Sequence, residues 1–473
     1  MKILFIYFDV GVSVYNQLGI AYLSASLKEK NHKVSLLRVH KANKIKEITK
    51  NVKRLKPDLV GLSFVSHFAY LARKLSEEIR KEYSVPIIAG GVHATIEPFE
   101  TISYEGIDFV CVGEGEKALI ELVTKLEKNE DISNIKNIWV KKNNNIMKTP
   151  VRELIDLDKL PIPDVDIFYK NPSDVKRVAL MTQRGCPFSC TYCCNEYLKI
   201  LYKDKGPIVR KRSLSNVMRD IDIIVKNHPN IKDIVFDDDN FIVDKQRVKA
   251  FCLLYESKFK IPFSINSRPD LIDSDTAKTL KKACCSRINI GIESGDEAFR
   301  KKHLKRHISN KSIINAFDIV KKADIAARGF LIYGFPFESE ENMKNSYSLL
   351  KKISPTDGSQ VSVFYPYPKS SLYESCQKLD LLTKQKKFTF LGNKTTLNFN
   401  NRKKALIRKY YELSEDIHHS SEKNMKYIEK FYPVLKIPFT LLTKFIPRKI
   451  VWRSMYRIKM YYLKKPFTFK AGW

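Results

Sequence analysis

Cys186, Cys190 and Cys193 stand as Cys-x3-Cys-x2-Cys in the stretch MTQRGCPFSCTYCCNE, directly after the apolar run 178–181. Three thiolates at that spacing can wrap one corner of a cubane 4Fe-4S cluster and leave its fourth iron without a protein ligand. An unclaimed coordination position is what separates a catalytic metal centre from a closed structural one. Other readings of these thiols fit less well. A structural zinc site takes four ligands, usually as two separated pairs, and Cys194 is adjacent to Cys193, badly placed to complete one tetrahedron. Nine cysteines in 473 residues are sparse and odd in number, which argues against a disulfide framework. Lys2 leads into a strand-like run rather than an apolar stretch with a cleavage site. That predicts no signal peptide and a reducing, cytoplasmic compartment.

The elements that must position these cysteines follow from residue 176 onward. Strand and helix alternate six times, with strands expected at 178–184, 231–237, 263–268, 287–293, 328–334 and 359–365. Helices are expected at 213–227, 244–257, 273–284 and 309–322, opened by capping residues such as Ser213 and Asp273. Six βα units predict a partial, open (βα)6 barrel with its chemistry at the carboxyl ends of the strands. Polar residues recur there: Asp237-Asp238-Asp239-Asn240, Ser267-Arg268, Glu293-Ser294 and Gly334-Phe335-Pro336. Three successive carboxylates can be a solvated helix start or a divalent-metal site. Beside an iron–sulfur loop they also suit S-adenosylmethionine (SAM), a zwitterion whose ammonium and ribose hydroxyls donate to carboxylates and whose carboxylate pairs with arginine.

Residues 1–126 alternate strand and helix five times, with apolar strands at 2–8, 33–39, 58–63, 85–90 and 107–112. Unbroken apolar strands, each followed by an amphipathic helix, predict a doubly wound parallel sheet that binds ligands at its carboxyl edge. Gly90-Gly91-Val92-His93-Ala94-Thr95 and Gly113-Glu114-Gly115-Glu116 follow the last two strands. Paired glycines let backbone approach a large flat ligand, although tight turns alone also call for them. His93 reads as a ligand contact or as a turn former. The absence of G-x-G-x-x-G after the first strand argues against a dinucleotide.

The order GxS (61–63), GGxHAT (90–95) and VGEGE (112–116), with NQLGIAYLSASL (16–27) after the first strand, resembles the cobalamin-binding domain fused to radical SAM enzymes. The resemblance covers residues 1–126 and implies a flavodoxin-like fold. The Asp-x-His-x-x-Gly motif is missing, because Asp9 is followed by Val-Gly-Val. The resemblance therefore implies base-off cobalamin without a histidine ligand. Asn16, Gln17 and Leu18, the loop from Ser63, Gly90, Gly91, His93, Ala94, Thr95, Gly113, Glu114 and Gly115 would hold it. Residues 176–380 resemble the radical SAM superfamily. There Cys186, Cys190 and Cys193 match the cluster motif, with Tyr192 as the aromatic residue before the third cysteine. FDDDNF (236–241) matches the segment that receives the SAM amine, through Asp237 or Asp238. GIESG (291–295) matches the ribose side through Glu293, and Arg268 holds a position often basic in cobalamin-dependent members. GFPFES (334–339) departs from GxPGET, with Phe337 in place of glycine, which bears on the local turn.

The resemblance implies reductive cleavage of SAM to a 5′-deoxyadenosyl radical, fed by a donor such as flavodoxin or ferredoxin. It further implies methylation of an unactivated carbon from methylcobalamin, with no side chain acting as general base. Cyclisation or rearrangement without net methyl transfer is the alternative within enzymes, and a corrinoid or redox sensor the alternative outside them. A methylthiotransferase would need a second cluster, and residues 1–126 contain only Cys111.

Residues 127–175, with Lys and Asn at 142–145 and prolines in LDKLPIPDVDIF (157–168), predict a strap between the two domains. The chain carries a formal charge of +32. Residues 381–473 read as a helical extension, and 431–473 hold ten Lys or Arg and no Asp or Glu among many aromatic residues. That segment reads as a helical cap with solvated lysines or as a contact with an anionic membrane surface, which would suit a lipid rather than another small-molecule substrate. Nucleic acid is a weaker reading, since no recognised binding module accompanies the charge. No apolar run is long enough to cross a membrane.

Overall fold

The computed structural model describes residues 1–9, 16–40, 44–143, 145–383 and 394–416; the basic segment 431–473 lies outside them. The first sheet comprises β1 (Lys2–Phe8), β2 (Lys33–Val39), β3 (Leu59–Ser63), β4 (Ile87–Gly90), β5 (Phe109–Cys111), β6 (Ile138–Lys142) and β7 (Asn145–Met147). Their spatial order is β2-β1-β3-β4-β5-β6-β7, with β1 to β5 parallel. The 2-1-3-4-5 order is the flavodoxin-like one, which leaves a crevice at the carboxyl edge. Leu4, Ile6 and Phe8 pack on one face with α2 (Ile45–Leu55) and α3 (Ala69–Glu82). Ile3 and Phe5 pack on the other with α1 (Leu18–Lys28) and α6 (Glu116–Glu127). Both faces are therefore dry, and the strands need no polar alternation. Two short helices, α4 (Val92–Ile96) and α5 (Pro98–Ile102), connect β4 to β5.

The β6–β7 hairpin corrects the sequence reading, whose strap begins at 127. Ile138–Lys142 and Asn145–Met147 instead extend the first sheet as antiparallel strands, with Asn143 at φ 50° after the first of them. The strap proper starts after Met147 and binds both units. Asp164 N–H donates to Ala21 O at 3.1 Å, and Asp158 accepts from Ser213 N–H at 2.8 Å.

The second sheet is entirely parallel: β8 (Arg177–Leu180), β11 (Asp233–Phe236), β12 (Phe263–Ser267), β13 (Cys285–Glu293), β14 (Ala326–Tyr333) and β15 (Ser359–Val363), in that spatial order. A ribbon of β9 (Gln183–Arg184) and β10 (Arg210–Lys211) flanks the loop after β8, and α7 (Cys194–Leu201) lies within that connection. The outer layer is α8 (Leu214–Asn227), α9 (Lys245–Lys258), α10 (Ser274–Lys282), α11 (Glu297–Leu304), α12 (Asn310–Lys322) and α13 (Glu340–Ile353). Each of these six starts on a Ser or Asp whose side chain accepts from the N–H three residues on. Such a cap contributes about 1 kcal/mol. α14 (Ser371–Lys378) and α15 (Asn401–Asp416) follow, and α15 packs on α13 and β15. The result is the six-stranded partial barrel expected from the sequence.

The turn after β14 accommodates Phe337 without a glycine, because its backbone is not in the left-handed region. Its ring is 42% exposed and stacks on His303 at 4.7 Å. Beneath it Glu338 is 1% exposed and accepts from Gly334 N–H at 2.6 Å. Burial pushes its carboxyl up to about 8, whereas an unfolded glutamate ionises at about 4.3. The folded state thus keeps a proton that the unfolded state loses, and this contribution to stability declines as pH rises between those two values. Thermal unfolding followed from pH 5 to 8 should show a falling Tm, with the slope flattened in Glu338→Gln. An unchanged slope would refute the assignment.

Candidate functional site

The cysteine loop leaves β8 over a carboxylate. Asp238, 1% exposed, accepts from Thr182 N–H at 2.7 Å, Thr182 Oγ1–H at 2.6 Å and Gln183 N–H at 3.1 Å. Both oxygens are used in holding the start of the loop, so Asp238 is not placed to receive the SAM amine. Its neighbours Asp237 and Asp239 face the cavity described below. All three are anchored by Phe236, whose buried ring packs against Phe241, Phe251 and Phe263 at 5.2–5.5 Å.

The loop then turns at Gly185, φ 89°, where a Cβ would come within 2.1 Å of Ile208 O. Cys190 is buried, Cys186 and Cys193 are half-buried, and Cys193 caps α7. Lys199, one helical turn into α7, donates to Pro187 O at 2.8 Å, Phe188 O at 2.7 Å and Ser189 Oγ at 3.0 Å. Thr191 Oγ1–H donates to His303 O at 2.6 Å, tying the loop to the end of α11. Burial pushes the Cys186 thiol up to about 11, with the charges of Asp239, Cys193 and Cys190 adding to it. Among the described residues no three His, Cys, Asp or Glu side chains converge as ligands of one ion would. A cubane does not ask that of them, since each thiolate binds its own iron. Three crowded, partly desolvated thiols, one of them beside the Arg306 guanidinium, are a donor set suited to such a cluster.

Around Cys190 the structure gathers Tyr192, Glu293 and Arg306. Arg306, 4% exposed, donates from Nη1 to Cys190 Sγ at 3.8 Å and to Tyr192 Oη at 3.4 Å, and from Nη2 to Gly291 O at 2.5 Å. Glu293 adopts φ 66°, a costly conformation for a residue with a side chain. Burial pushes its carboxyl up, opposed by the charge of Arg306, by a hydrogen bond from Tyr192 and by the charge of Arg268. Arg268 donates from Nε and Nη2 to Asp270, both at 3.0 Å, and lies over the Phe188 ring at 3.7 Å. Its buried Nη1 has no protein partner, which suits a carboxylate arriving from a ligand. These groups fit SAM. Arg306 and Lys199 belong to no motif; only the position of Lys199 one turn beyond the cysteines hinted at its role.

A cavity of about 520 Å³ lies between the carboxyl edge of the first sheet and the cysteine loop. Gln17, Leu18, Ser63, Gly90, Gly91, Thr95, Gly113, Glu114 and Gly115 line its first-sheet side. Arg184, Gly185, Cys194, Leu198, Tyr202 and Asp237 form the facing wall. Gly91 (φ 90°) and Gly113 (φ 87°) bring backbone to the surface, and Thr95 Oγ1 accepts from Gly113 N–H at 3.0 Å. Glycine-edged loops opposite a wall that mixes Leu198 and Tyr202 with Arg184 and Asp237 fit a broad flat ring fringed with polar side chains, such as a corrin, and among the described lining residues there is no histidine. Three expected contacts lie elsewhere. Asn16 pairs through its amide with Ala179, donating to its O at 3.1 Å and accepting from its N–H at 2.7 Å. His93 and Ala94 are buried in α4, with His93 Nδ1 3.0 Å from Ser66 Oγ. Glu114 does line the cavity, but its carboxylate is held by Arg184 and Arg210.

A Cβ on Gly113 would sit 2.0 Å from Tyr202 Oη. Gly113→Ala should therefore destabilise the protein by roughly 1–3 kcal/mol through backbone strain, and more through the clash. Denaturation, with cobalamin retention read by absorbance, checks this; wild-type values for both would overturn it.

The B12 binding domain family model matches residues 6–123, and the radical SAM superfamily model matches residues 180–350. An uncharacterised methyltransferase of Pyrococcus horikoshii is 28% identical over 93% of this chain and 91% of its own length. The anaerobic magnesium-protoporphyrin IX monomethyl ester cyclase of Rubrivivax gelatinosus is 25% identical over 79% of this chain and 70% of its own. Among solved structures, the cobalamin-dependent S-adenosylmethionine radical enzyme OxsB, with aqua-cobalamin and S-adenosylmethionine bound, superposes with a TM-score of 0.66. That match covers 98% of this chain and 72% of OxsB at 19% identity, and so speaks for the fold. The chain is a radical SAM enzyme of the class that carries a cobalamin-binding domain, with a 4Fe-4S cluster, SAM and cobalamin as its cofactors.

Proposed function

We propose that the protein is a C-methyltransferase that places a methyl group from SAM, by way of cobalamin, on an unactivated carbon of a small-molecule or lipid substrate. The observation that carries this reading is the shared wall: one cavity has the strand-end glycines of the first sheet on one side and the cysteine loop on the other. Bound together, cluster and SAM supply a carbon radical able to take hydrogen from an unactivated carbon, and cobalamin supplies a methyl group. Cys186, Cys190 and Cys193 would hold the cluster. Arg268 would take the SAM carboxylate on its open Nη1, and Glu293 and Asp237 would accept from its hydroxyls and amine. The half-buried ring of Tyr192 and the buried ring of Phe335, 5.9 Å apart, would shield this corner from water. Electrons would come from a flavodoxin or ferredoxin.

Similarity to the Rubrivivax cyclase over 79% of the chain favours one second reading, ring closure without methyl transfer. Anaerobic incubation of the reconstituted protein with methyl-labelled SAM and a metabolite extract separates the two. Methylation yields 5′-deoxyadenosine, S-adenosylhomocysteine and a labelled product. Both routes release methyl-labelled methionine along with the 5′-deoxyadenosine, but cyclisation gives no S-adenosylhomocysteine and no label in the product. Contact with an anionic membrane rests on the composition of residues 431–473, and among the described residues no helix is long and apolar enough to cross a bilayer. Flotation with anionic liposomes, unchanged on deleting that segment, would dismiss it.

A further inference from the structure

Glu114 sits where the two cofactor sites meet, and its environment is unlike that of a ligand contact. Its Oε1 accepts from Arg184 Nη1 at 3.1 Å and Arg210 Nη2 at 2.5 Å, and its Oε2 accepts from Arg210 Nη1 at 3.0 Å and Ile155 N–H at 3.2 Å. Arg184 also donates to Glu116 Oε1 at 2.6 Å. Burial alone would push the Glu114 carboxyl up, but the Arg210 hydrogen bond and the two arginine charges hold it below its ordinary value.

The two partners of this loop mark the two ends of the cysteine loop. Arg184 stands two residues before Cys186 and pairs with Arg210 across the β9–β10 ribbon. On the far side Cys193 caps α7, which runs about 12 Å at 1.5 Å per residue and ends at Tyr202. Tyr202 Oη accepts from Glu114 N–H at 2.7 Å. The segment that leads into the cluster ligands and the helix that leads away from them thus close on one residue of the first domain.

We propose that Glu114 is a positioning residue: it locks the loop that lines the corrinoid cavity to both ends of the cysteine loop and so fixes the spacing between cluster and corrin. Charges this desolvated resist separation, because an opened pair would leave buried charge without a partner. A fixed spacing matters because a reacting carbon must face both the hydrogen-abstracting radical and its later partner, and small misplacements cost large factors in rate. The proposal rests on the two cofactor sites and not on whether the reaction is methylation or cyclisation.

The test is magnetic, and it uses the full chain loaded with cob(II)alamin and a one-electron-reduced cluster. Each carries an unpaired spin, and the cluster shortens the relaxation time of the cobalamin signal in a way that falls steeply with distance. In Glu114→Gln with both cofactors at wild-type content, this enhancement should drop severalfold and spread over a range of values. Tyr202→Phe, which deletes one oxygen, should move it in the same direction by less. Unchanged enhancement in both variants would overturn the proposal. So would loss of corrinoid from both, since Glu114 would then hold the ligand rather than the spacing. If Glu114→Gln fails to fold, Tyr202→Phe alone decides by the same two criteria. Failure of the labelled-methyl experiment leaves this result untouched.

Discussion

Cys190→Ser is expected to bring iron content to background and 5′-deoxyadenosine formation below detection while cobalamin is retained. Cys190 is the most deeply buried of the three thiols and the one that Arg306 touches. Serine offers a hard, weakly acidic oxygen that cannot replace a thiolate on iron. Cobalamin should stay because none of the three cluster cysteines lines the strand-end cavity. Cys194→Ser is the matched comparison, since Cys194 faces that cavity and completes no cluster motif. It should keep full iron. Anaerobic reconstitution, with iron, sulfide and corrinoid measured on the same sample, gives all three numbers. Equal iron loss in the two variants would mean that the ligand set has been misassigned.

Arg306→Leu is expected to be the most costly substitution outside the cysteines. The guanidinium is buried, donates to Cys190 Sγ, Tyr192 Oη and Gly291 O, and faces Glu293 across Gly291. Leucine leaves the half-buried Gly291 carbonyl and the Tyr192 hydroxyl without a donor and the Glu293 carboxyl without its neighbouring cation, and such losses cost about 1–3 kcal/mol each. A second readout isolates the electrostatic role. A cation beside a ligand sulfur favours the more negative, reduced cluster, so its removal should make the reduction potential more negative. Arg306→Lys should restore part of the potential but little of the stability, because one ammonium cannot reproduce the forked geometry. Chemical denaturation of the apoprotein and redox titration of the reconstituted protein measure the two effects. No change in either would sink the role given to Arg306.

The architecture was open to reading because its signals are local. Dry strands such as Leu59–Ser63 have no polar alternation, and each barrel helix begins on its own capping side chain. The cysteine spacing is equally local. What escaped depended on direction or on distance along the chain. Asp237 and Asp239 face the cavity while Asp238 points the other way, as the two-residue period of a strand continued past Phe236 requires. The same period, present in the sequence, sets Asp237 apart from Asp238. Glu114 finds its partners 70 and 96 residues away, beyond any pattern in one sequence. The β6–β7 hairpin hid behind lysine and asparagine, although Ile138 and Val140 alternate with more exposed neighbours as a strand does.

The amide of Asn16 has a consequence for the barrel as an isolated piece. β8 is the outermost strand of its sheet, and Asn16 occupies both the N–H and the C=O of Ala179. A side chain of the first domain thus imitates one residue of a neighbouring strand and blunts an edge that would otherwise recruit other chains. Expression of residues 176–416 alone should therefore give material that self-associates through β8, whereas the same segment co-expressed with residues 1–175 should stay dispersed.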